Sequence, residues 1–363
     1  MTFNPFNISK IPPIRPVGLF NPSRPKQPYS NAGNYNYYDK TNDNLYNICY
    51  MNASIQCLFR LDKFVQHILL TEGKNLVKAS KDLIMEMINY QYNQGKVLSV
   101  KNIKECMGKL DDRFKLSNTE DVNDFISIYL DGLLEETMSG KYNSPKIFEI
   151  KNPIVDKAYT HFLNRFYAKK GNSFILDLFY GELKTTRFCP FCHSLYNIQF
   201  SAFNILELPI YELWKKNKNS VLNLEDILKL YISPNNNNEI ICSSCQKSNL
   251  CSTTEIFKFP KYLLIYFGRT VGNEYISNDI YFKRQMDFND FKSEKDALIN
   301  LDNIYNLKSV IYYLNVGRKT GHYSALCFVD EKEYYFDDSE VIENPKGRIL
   351  GNPILLFYEN IKN

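Results

Sequence analysis

The chain has 363 residues, 44 Lys and Arg against 40 Asp and Glu, a formal charge of +4 and 44% hydrophobic content. That balance excludes global disorder and the one-sided basic surface of a dedicated nucleic-acid or polybasic membrane binder. The length allows one large domain or two modest ones.

Seven of the fifteen prolines fall in the first 28 residues, where no apolar period is visible. Residues 1–40 therefore read as a flexible, extended arm, ahead of a folded region from 41 to 363. Within the arm, Pro13-Ile14-Arg15-Pro16 is a Pro-x-x-Pro element. Such an element suits an aromatic-lined groove on a partner, although matches of this kind arise easily in any proline-rich tail and a plain linker is the favoured reading. Met1-Thr2-Phe3-Asn4-Pro5 lacks the charged start and apolar core of a secretory signal. No stretch reaches the roughly 18 apolar residues of a membrane span. An intracellular protein, cytoplasmic or nuclear, is expected. The bias toward Asn, Lys, Ile and Tyr, including the run Asn235 to Asn238, reads as codon usage of an AT-rich genome.

From about Asn44 the character changes. Met51, Ile55, Leu58 and Phe59 recur at helical spacing after Asn47, a suitable N-cap, which predicts a helix over Cys49–Phe64. Leu76–Tyr90 and Val122–Leu134 repeat the pattern. After Phe174, short runs rich in Phe, Tyr, Ile and Leu are separated by turn residues and read as strands: Phe174–Leu178, Phe257–Phe267, Val310–Leu314, Ser324–Val329 and Ile354–Tyr358. Helices first and strands afterwards predict an α+β architecture.

Nine Cys in a reducing setting suggest metal ligands, a nucleophile and buried thiols rather than a disulfide framework. Cys189-Pro-Phe-Cys192 and Cys242-Ser-Ser-Cys245 each place two thiolates on a tight turn, and together they form a four-thiolate zinc set. The 49 residues between Cys192 and Cys242 must leave the site and return. Buried, unliganded thiols are the plain alternative. Cys189 to His193 also spells a haem-attachment pattern, but that reading needs an oxidising export compartment. A redox pair would leave the second Cys-x-x-Cys unexplained.

Cys49 falls at the expected helix start, where the helix dipole favours a thiolate, though a small hydrophobe in a first turn would look the same. A cysteine nucleophile needs a histidine base. His67 lies in an apolar helical run and His161 has no motif around it, while His193 reads as a surface residue. His322 sits in a glycine-flanked loop, Gly317 to Tyr323, leading into a strand. Tyr335-Phe336-Asp337-Asp338 follows, and a hairpin would bring Asp337 beside His322. The set suits a Cys, His, Asp relay.

At these residues the chain resembles the ubiquitin-specific proteases, papain-like cysteine peptidases of the ubiquitin carboxyl-terminal hydrolase class. Their Cys box reads approximately Asn-x-Gly-Asn-Thr-Cys-Tyr-Met-Asn-Ser. Here Asn44-Leu45-Tyr46-Asn47-Ile48-Cys49-Tyr50-Met51-Asn52-Ala53 matches it and continues through Ile55-Gln56-Cys57-Leu58. Glu120-Asp121-Val122-Asn123-Asp124-Phe125 resembles the family's acidic box. Tyr180-Gly181-Glu182-Leu183 and Phe259 to Ile265 resemble the segments framing its zinc fingers. Gly321-His322-Tyr323, Phe336-Asp337-Asp338 and Ile354 to Tyr358 resemble its His box and close. The likeness covers about residues 42 to 359, with the motifs in family order.

The resemblance implies a helical thumb (about 44–175), zinc-bearing β fingers (about 176–258) and a β-rich palm (about 259–360), acting as a deubiquitinating cysteine protease on ubiquitin and ubiquitinated proteins. Cys49 would attack the carbonyl after ubiquitin's Gly-Gly, His322 would move the proton and Asp337 would fix the imidazole. Asn44 carries over as oxyanion donor, and Asp338 as a lesser support of that step. Asp121, with Glu120 and Asp124, would meet the arginine-rich ubiquitin tail, unless they are ordinary first-turn acids. Tyr323 would narrow the channel for glycine. Zn2+ on Cys189, Cys192, Cys242 and Cys245 would be structural. Tyr46 and Ile48 stand where the family has Gly and Thr, and Leu314 and Val316 where it commonly has His and Gly. Three other readings are a ubiquitin-binding pseudoenzyme, a protease for a ubiquitin-like modifier, and a zinc module binding nucleic acid. The intact Cys49, His322 and Asp337 argue against the first, and the near-neutral charge argues against the last.

Overall fold

The computed structural model describes residues 14–21, 46–90, 98–140, 150–167, 170–216, 218–291, 302–317 and 320–362. They fall into two compact units, one drawn from 1–136 and 308–351, the other from 137–307 and 352–363. Among the described residues no helix is long and apolar enough to cross a membrane.

The first unit opens with five helices: α1 (Cys49–Leu58), α2 (Asp62–Leu70), α3 (Leu76–Ile88), α4 (Lys101–Leu110) and α5 (Val122–Thr137). The helix expected over Cys49–Phe64 is two. Bonds from Arg60 N to Cys57 O and Leu61 N to Leu58 O tighten the end of α1, and Leu61 is extended before α2 begins. No side chain caps α3 from Asn75. Instead the Glu136 carboxylate accepts from Leu76 N at 2.8 Å and Val77 N at 3.1 Å, an anion placed where the helix dipole favours one. Tyr50, Phe114, Phe125 and Tyr129 interlock at 5.7–6.3 Å and tie α1 to α5.

The second unit starts with α6 (Pro153–Phe166) and α7 (Phe174–Phe179), then β1 (Gly181–Phe188), β2 (Leu195–Phe203), β3 (Leu206–Pro209), α8 (Tyr211–Lys216), β4 (Leu222–Asn223) and α9 (Leu224–Ile232). It continues through β5 (Asn235–Ile241), β6 (Ser248–Lys258), β7 (Tyr262–Gly268) and the short β8 (Thr270–Val271), β9 (Glu274–Tyr275), β10 (Ile280–Tyr281) and β11 (Gln285–Asp287). The segment Phe174–Leu178, expected as a strand, is helical. Ser173 Oγ caps it by accepting from Ile175 N at 3.2 Å, and its four-residue apolar set (Ile175, Leu176, Leu178, Phe179) is buried. Phe257–Phe267 is two strands, β6 and β7, because Pro260 supplies no N–H to a ladder between them. The strands β2-β1-β6-β5 form one antiparallel sheet, against which α6 packs Tyr159 at 5.0 Å from both Phe200 and Phe257.

The chain then returns to the first unit through β12 (Ile304–Gly317), β13 (Thr320–Val329), β14 (Lys332–Asp337) and β15 (Glu340–Glu343), and ends in the second with β16 (Asn352–Asn360), which pairs with β7. In the first unit β12 to β15 form an antiparallel meander with Leu314 opposite His322, Ala325 opposite Phe336 and Asp337 opposite Glu340. The helix α1 lies against β13 and β14.

All ten residues of α1 are buried, including the polar Asn52, Ser54 and Gln56. A helix buried all round must find partners for such groups. Ser54 Oγ donates to Tyr50 O within the helix and Asn52 Nδ2 to Asp338, while Gln56 is met by the part of the arm the sequence assigns to a flexible extension. Residues 14–21 lie packed in the first unit, with Ile14, Val17 and Leu19 buried and Leu19 bridged to Leu98. Gln56 Nε2 donates to Val17 O at 2.7 Å and Arg60 Nη1 to Ile14 O at 2.9 Å. Three residues of the Pro-x-x-Pro element, Ile14 to Pro16, belong to this packed stretch. Leu19 is wholly buried, so Leu19→Ala is expected to cost about 2–5 kcal/mol, read as a lowered thermal or urea midpoint.

Candidate active site and metal centre

Cys49 is the first residue of α1 and is buried. Its N-cap is Ile48, with no side-chain cap bond. Asn47, the expected cap, has φ 56° and sends its amide away, donating from Nδ2 to Ser117 O at 2.8 Å. That carbonyl belongs to a loop held from below, since the buried Lys104 ammonium donates to Phe114 O and Leu116 O at 2.7 Å. The chain entering the nucleophile is thus tied to a rigid support.

His322 stands inside β13 rather than in a loop before it. Its neighbour Gly321 is required there, because a Cβ would lie 2.1 Å from the Tyr313 ring. His322 Nε2 lies 2.5 Å from Asp337 Oδ1, and the imidazole is also bonded to Cys49. Burial alone would push this imidazole down, but bonds to Asp337 and Cys49 and their negative charges outweigh it and raise the group to about 10. A protonated imidazole held between Asp337 and Cys49 is placed to serve a cysteine nucleophile.

Asn21, Asn47, Cys49, Thr119, Gly321 and His322 are among the residues lining a cavity of about 280 Å³, with Asp337 and Asp338 on its wall. Asp338, with φ 54°, turns from its neighbour's course, and its carboxylate accepts from Asn52 Nδ2 at 2.8 Å and Asn21 Nδ2 at 3.0 Å. Burial pushes its pKa up, while those two amides and His322 oppose the rise.

Asn44 lies outside the described residues. Among the acids expected to bind substrate, Asp121 accepts from Asn123 N at 2.7 Å as α5 begins. Asp124 is held by Arg113 at 2.6 Å, with Glu120 4.0 Å from the same guanidinium. Two of the three acids therefore already face a cation of the chain, one that no motif marked. Tyr323 is buried and packs on Tyr313 at 4.7 Å, on the face of β13 opposite His322. Burial raises the Tyr313 phenol, and Cys49 and Asp121 raise it further, so both lie close to this aromatic pair.

In the second unit, Cys189, Cys192, Cys242 and Cys245 bring all four sulfurs within 4.8 Å of one another. The turns carrying them repeat one design. Cys189 N donates to Ser194 O and Cys242 N to Lys247 O, while His193 and Gln246 take φ 56° and 57°. Sulfur separations of 3.6 Å (Cys189 to Cys245) and 3.7 Å (Cys192 to Cys242) match the roughly 3.8 Å edge of a tetrahedron with zinc–sulfur bonds of about 2.3 Å. Cys242 is pushed down to about 6, chiefly by the Ser194 hydroxyl. For Cys245 a Lys247 amide acts downward, but burial and the neighbouring thiols carry it up to about 11. Four clustered thiols cannot all lose their protons without a cation to offset the charge. The four-cysteine cluster is suited to hold a metal ion, consistent with zinc. His193 is exposed beside it.

The family described as ubiquitin carboxyl-terminal hydrolase matches residues 42–358, and the chain belongs to that family. It is 24% identical over 337 residues to ubiquitin carboxyl-terminal hydrolase Usp2 of Drosophila melanogaster (87% of this chain, 34% of the relative). It is 26% identical over 341 residues to ubiquitin carboxyl-terminal hydrolase 2 of Homo sapiens (87% and 54%). To ubiquitin carboxyl-terminal hydrolase 4 of Saccharomyces cerevisiae it is 25% identical over 365 residues (88% and 39%). The chain thus spans about a third to a half of these curated relatives. Its fold matches a chain of the SAGA DUB module bound to monoubiquitin (TM-score 0.65, 18% identity, 87% of this chain and 67% of that one). The same module bound to ubiquitin aldehyde matches with TM-score 0.66 and 17% identity, over 87% of this chain and 68% of that one.

A folded-state imidazolium raised to about 10 keeps its proton through neutral pH and loses it as pH rises through that value. The alkaline limb of kcat/KM is expected within about a unit of pH 10, as an apparent value of the Cys49 and His322 pair. Asp337→Asn removes a charge that raises the imidazole, so the limb should move to lower pH. A limb that stays in place would show that Asp337 does not govern His322.

Proposed function

We propose that the chain is a deubiquitinating cysteine protease that hydrolyses the isopeptide or peptide bond after the Gly-Gly terminus of ubiquitin. The observation that carries the reading is the relay itself, with Cys49 bonded to His322 and His322 to Asp337, in a chain of this family. The Cys49 thiolate adds to the glycine carbonyl, whose π electrons move onto oxygen. The tetrahedral adduct collapses, and the amine leaves with the His322 proton, giving a thioester. Water then attacks the thioester as the neutral imidazole takes its proton, releasing the ubiquitin carboxylate and restoring Cys49.

On this reading residues 44–175 are the thumb, 176–258 the fingers and 259–360 the palm. Asp121, whose charge acts on Tyr313, meets the basic tail of ubiquitin, while Tyr323 backs Tyr313 as the aromatic wall past which only glycines run. Glu120 and Asp124 contribute less, because Arg113 already neutralises part of their charge. The metal is Zn2+ in a closed four-thiolate shell. It supplies a cross-link between two hairpins and leaves no coordination position for a reacting water. Nine cysteines free of disulfides suit a reducing intracellular compartment.

Ubiquitin carrying a C-terminal electrophile is expected to form a covalent adduct with the wild-type chain and none with Cys49→Ala. Ubiquitin binding without an adduct would instead make the chain a pseudoenzyme, and an adduct with a ubiquitin-like modifier alone would reassign the substrate. Metal analysis of the purified chain is expected to give one zinc per chain. Cys192→Ser should lower the melting temperature while leaving the alkylation rate of Cys49 nearly unchanged, and a zinc-free wild-type chain would refute the metal assignment.

A further inference from the structure

A groove of about 990 Å³ lies wholly within the second unit, between α6 and β2, and none of its lining residues belongs to the relay or the cysteine cluster. Its floor is apolar. Phe162 stacks on Phe166 at 5.5 Å and lies 6.2 Å from Phe200, and Ile154 on α6 is 57% exposed. The α6 wall also bears Lys157, His161 and Arg165, which recur every four residues and so share one face of the helix. All three are exposed, and among the described residues none has an ion pair or a hydrogen bond.

The opposite wall is the border of a sheet. β2 is the outer strand of β2-β1-β6-β5, so the N–H and C=O groups along its far side have no ladder partner among the described residues. Ile198 to Ala202 line the groove as an unbroken run. Side chains alternate between the two faces of a strand, so such a run brings the backbone edge itself to the groove. An unpaired edge beside unpaired cations favours one kind of occupant, a chain in extended form that carries acids.

We propose that this groove binds an extended, acidic segment of a partner protein, which pairs with the edge of β2 and sets its carboxylates against Lys157 and Arg165. Main-chain hydrogen bonds to β2 supply affinity, and the cations select acids. The spacing agrees. Lys157 and Arg165, eight residues apart, are separated by about 12 Å along α6, and residues i and i+4 of a strand by about 13 Å. In a strand lying along the groove, an apolar residue at i+2 falls between the two acids, over Phe162. A second copy of the chain fits less well, because pairing two β2 edges brings two cationic walls together. A nucleic acid would find two fixed cations over an apolar floor, too few phosphate contacts to hold it.

The test uses the full chain and a fluorescein-labelled peptide with the core Glu-Thr-Ile-Thr-Glu, read by fluorescence anisotropy. Its binding can be measured whether or not the chain hydrolyses ubiquitin. Saturable binding is expected, weakened on the order of tenfold or more when Lys157→Glu and Arg165→Glu are combined, with the milder pair Lys157→Gln and Arg165→Gln in between. All these side chains are exposed, so the thermal midpoint should hold in both variants and show that each is folded. N-methylation of alternate peptide residues should abolish binding in one register and spare it in the other, since only one set of peptide N–H groups faces β2. A peptide with Lys for Glu that binds as tightly, N-methylation without effect in either register, or full affinity in the doubly reversed variant would overturn the proposal. Displacement of the peptide by saturating ubiquitin would assign the groove to the substrate instead. A chain that sediments as a dimer and refuses the peptide would assign the edge to a second copy.

Discussion

The first unit depends on the satisfaction of polar side chains on a helix that has no exposed face. Asn52 and Gln56, with Arg60 just beyond the helix, lie within 5% exposure, and each amide or guanidinium left without a partner there would cost about 1–3 kcal/mol. The carbonyls that meet Gln56 and Arg60 belong to Ile14–Asn21, and the carboxylate that meets Asn52 belongs to Asp338. The polar groups of α1 therefore specify how the arm and the β14–β15 turn dock. They also set where Cys49, the first residue of the same helix, faces the imidazole.

Two neighbouring aspartates divide the electrostatic work. Asp337 ends β14 in extended backbone and reaches His322, while Asp338 takes a left-handed conformation and reaches Asn52 and Asn21. One carboxylate holds an imidazole and the other holds two amides, although they are adjacent in the chain. The positive φ separates them, at a cost of order 1 kcal/mol or more that the bonds on Asp338 sustain. His322, bonded by Asp337 and Cys49 in a partly buried site, keeps a proton that burial alone would remove.

The second unit meets a different constraint. The sheet β2-β1-β6-β5 ends in two turns whose sulfurs have, among the described residues, the apolar cover of Leu250 and the partly buried Ile240. So small a cluster cannot hold two hairpin tips together by hydrophobic contact alone. A metal ion held by the four cysteines would supply the missing cohesion.

The sequence alone identified groups whose chemistry shows in residue type and spacing. Two Cys-x-x-Cys pairs, a thiol at a helix start and a histidine with a following carboxylate all stand out because few other arrangements account for them. Periodicity also located α3 and most of α5, whose buried stripes recur every three to four residues. It failed where tertiary partners decided the outcome. The short α7 was hidden because four apolar residues in six suit either a strand or a buried turn of helix, until Ser173 capped it. The break after α1 follows from closing bonds and an extended Leu61. The docked arm carries no period, because it is held through backbone carbonyls that any residue offers. Arg113 beside Asp124, and Asn21 beside Asp338 at 317 residues' separation, had no spacing to announce them. Local chemistry is written in the chain, whereas contacts between distant segments exist only once the buried polar groups of the fold have chosen their partners.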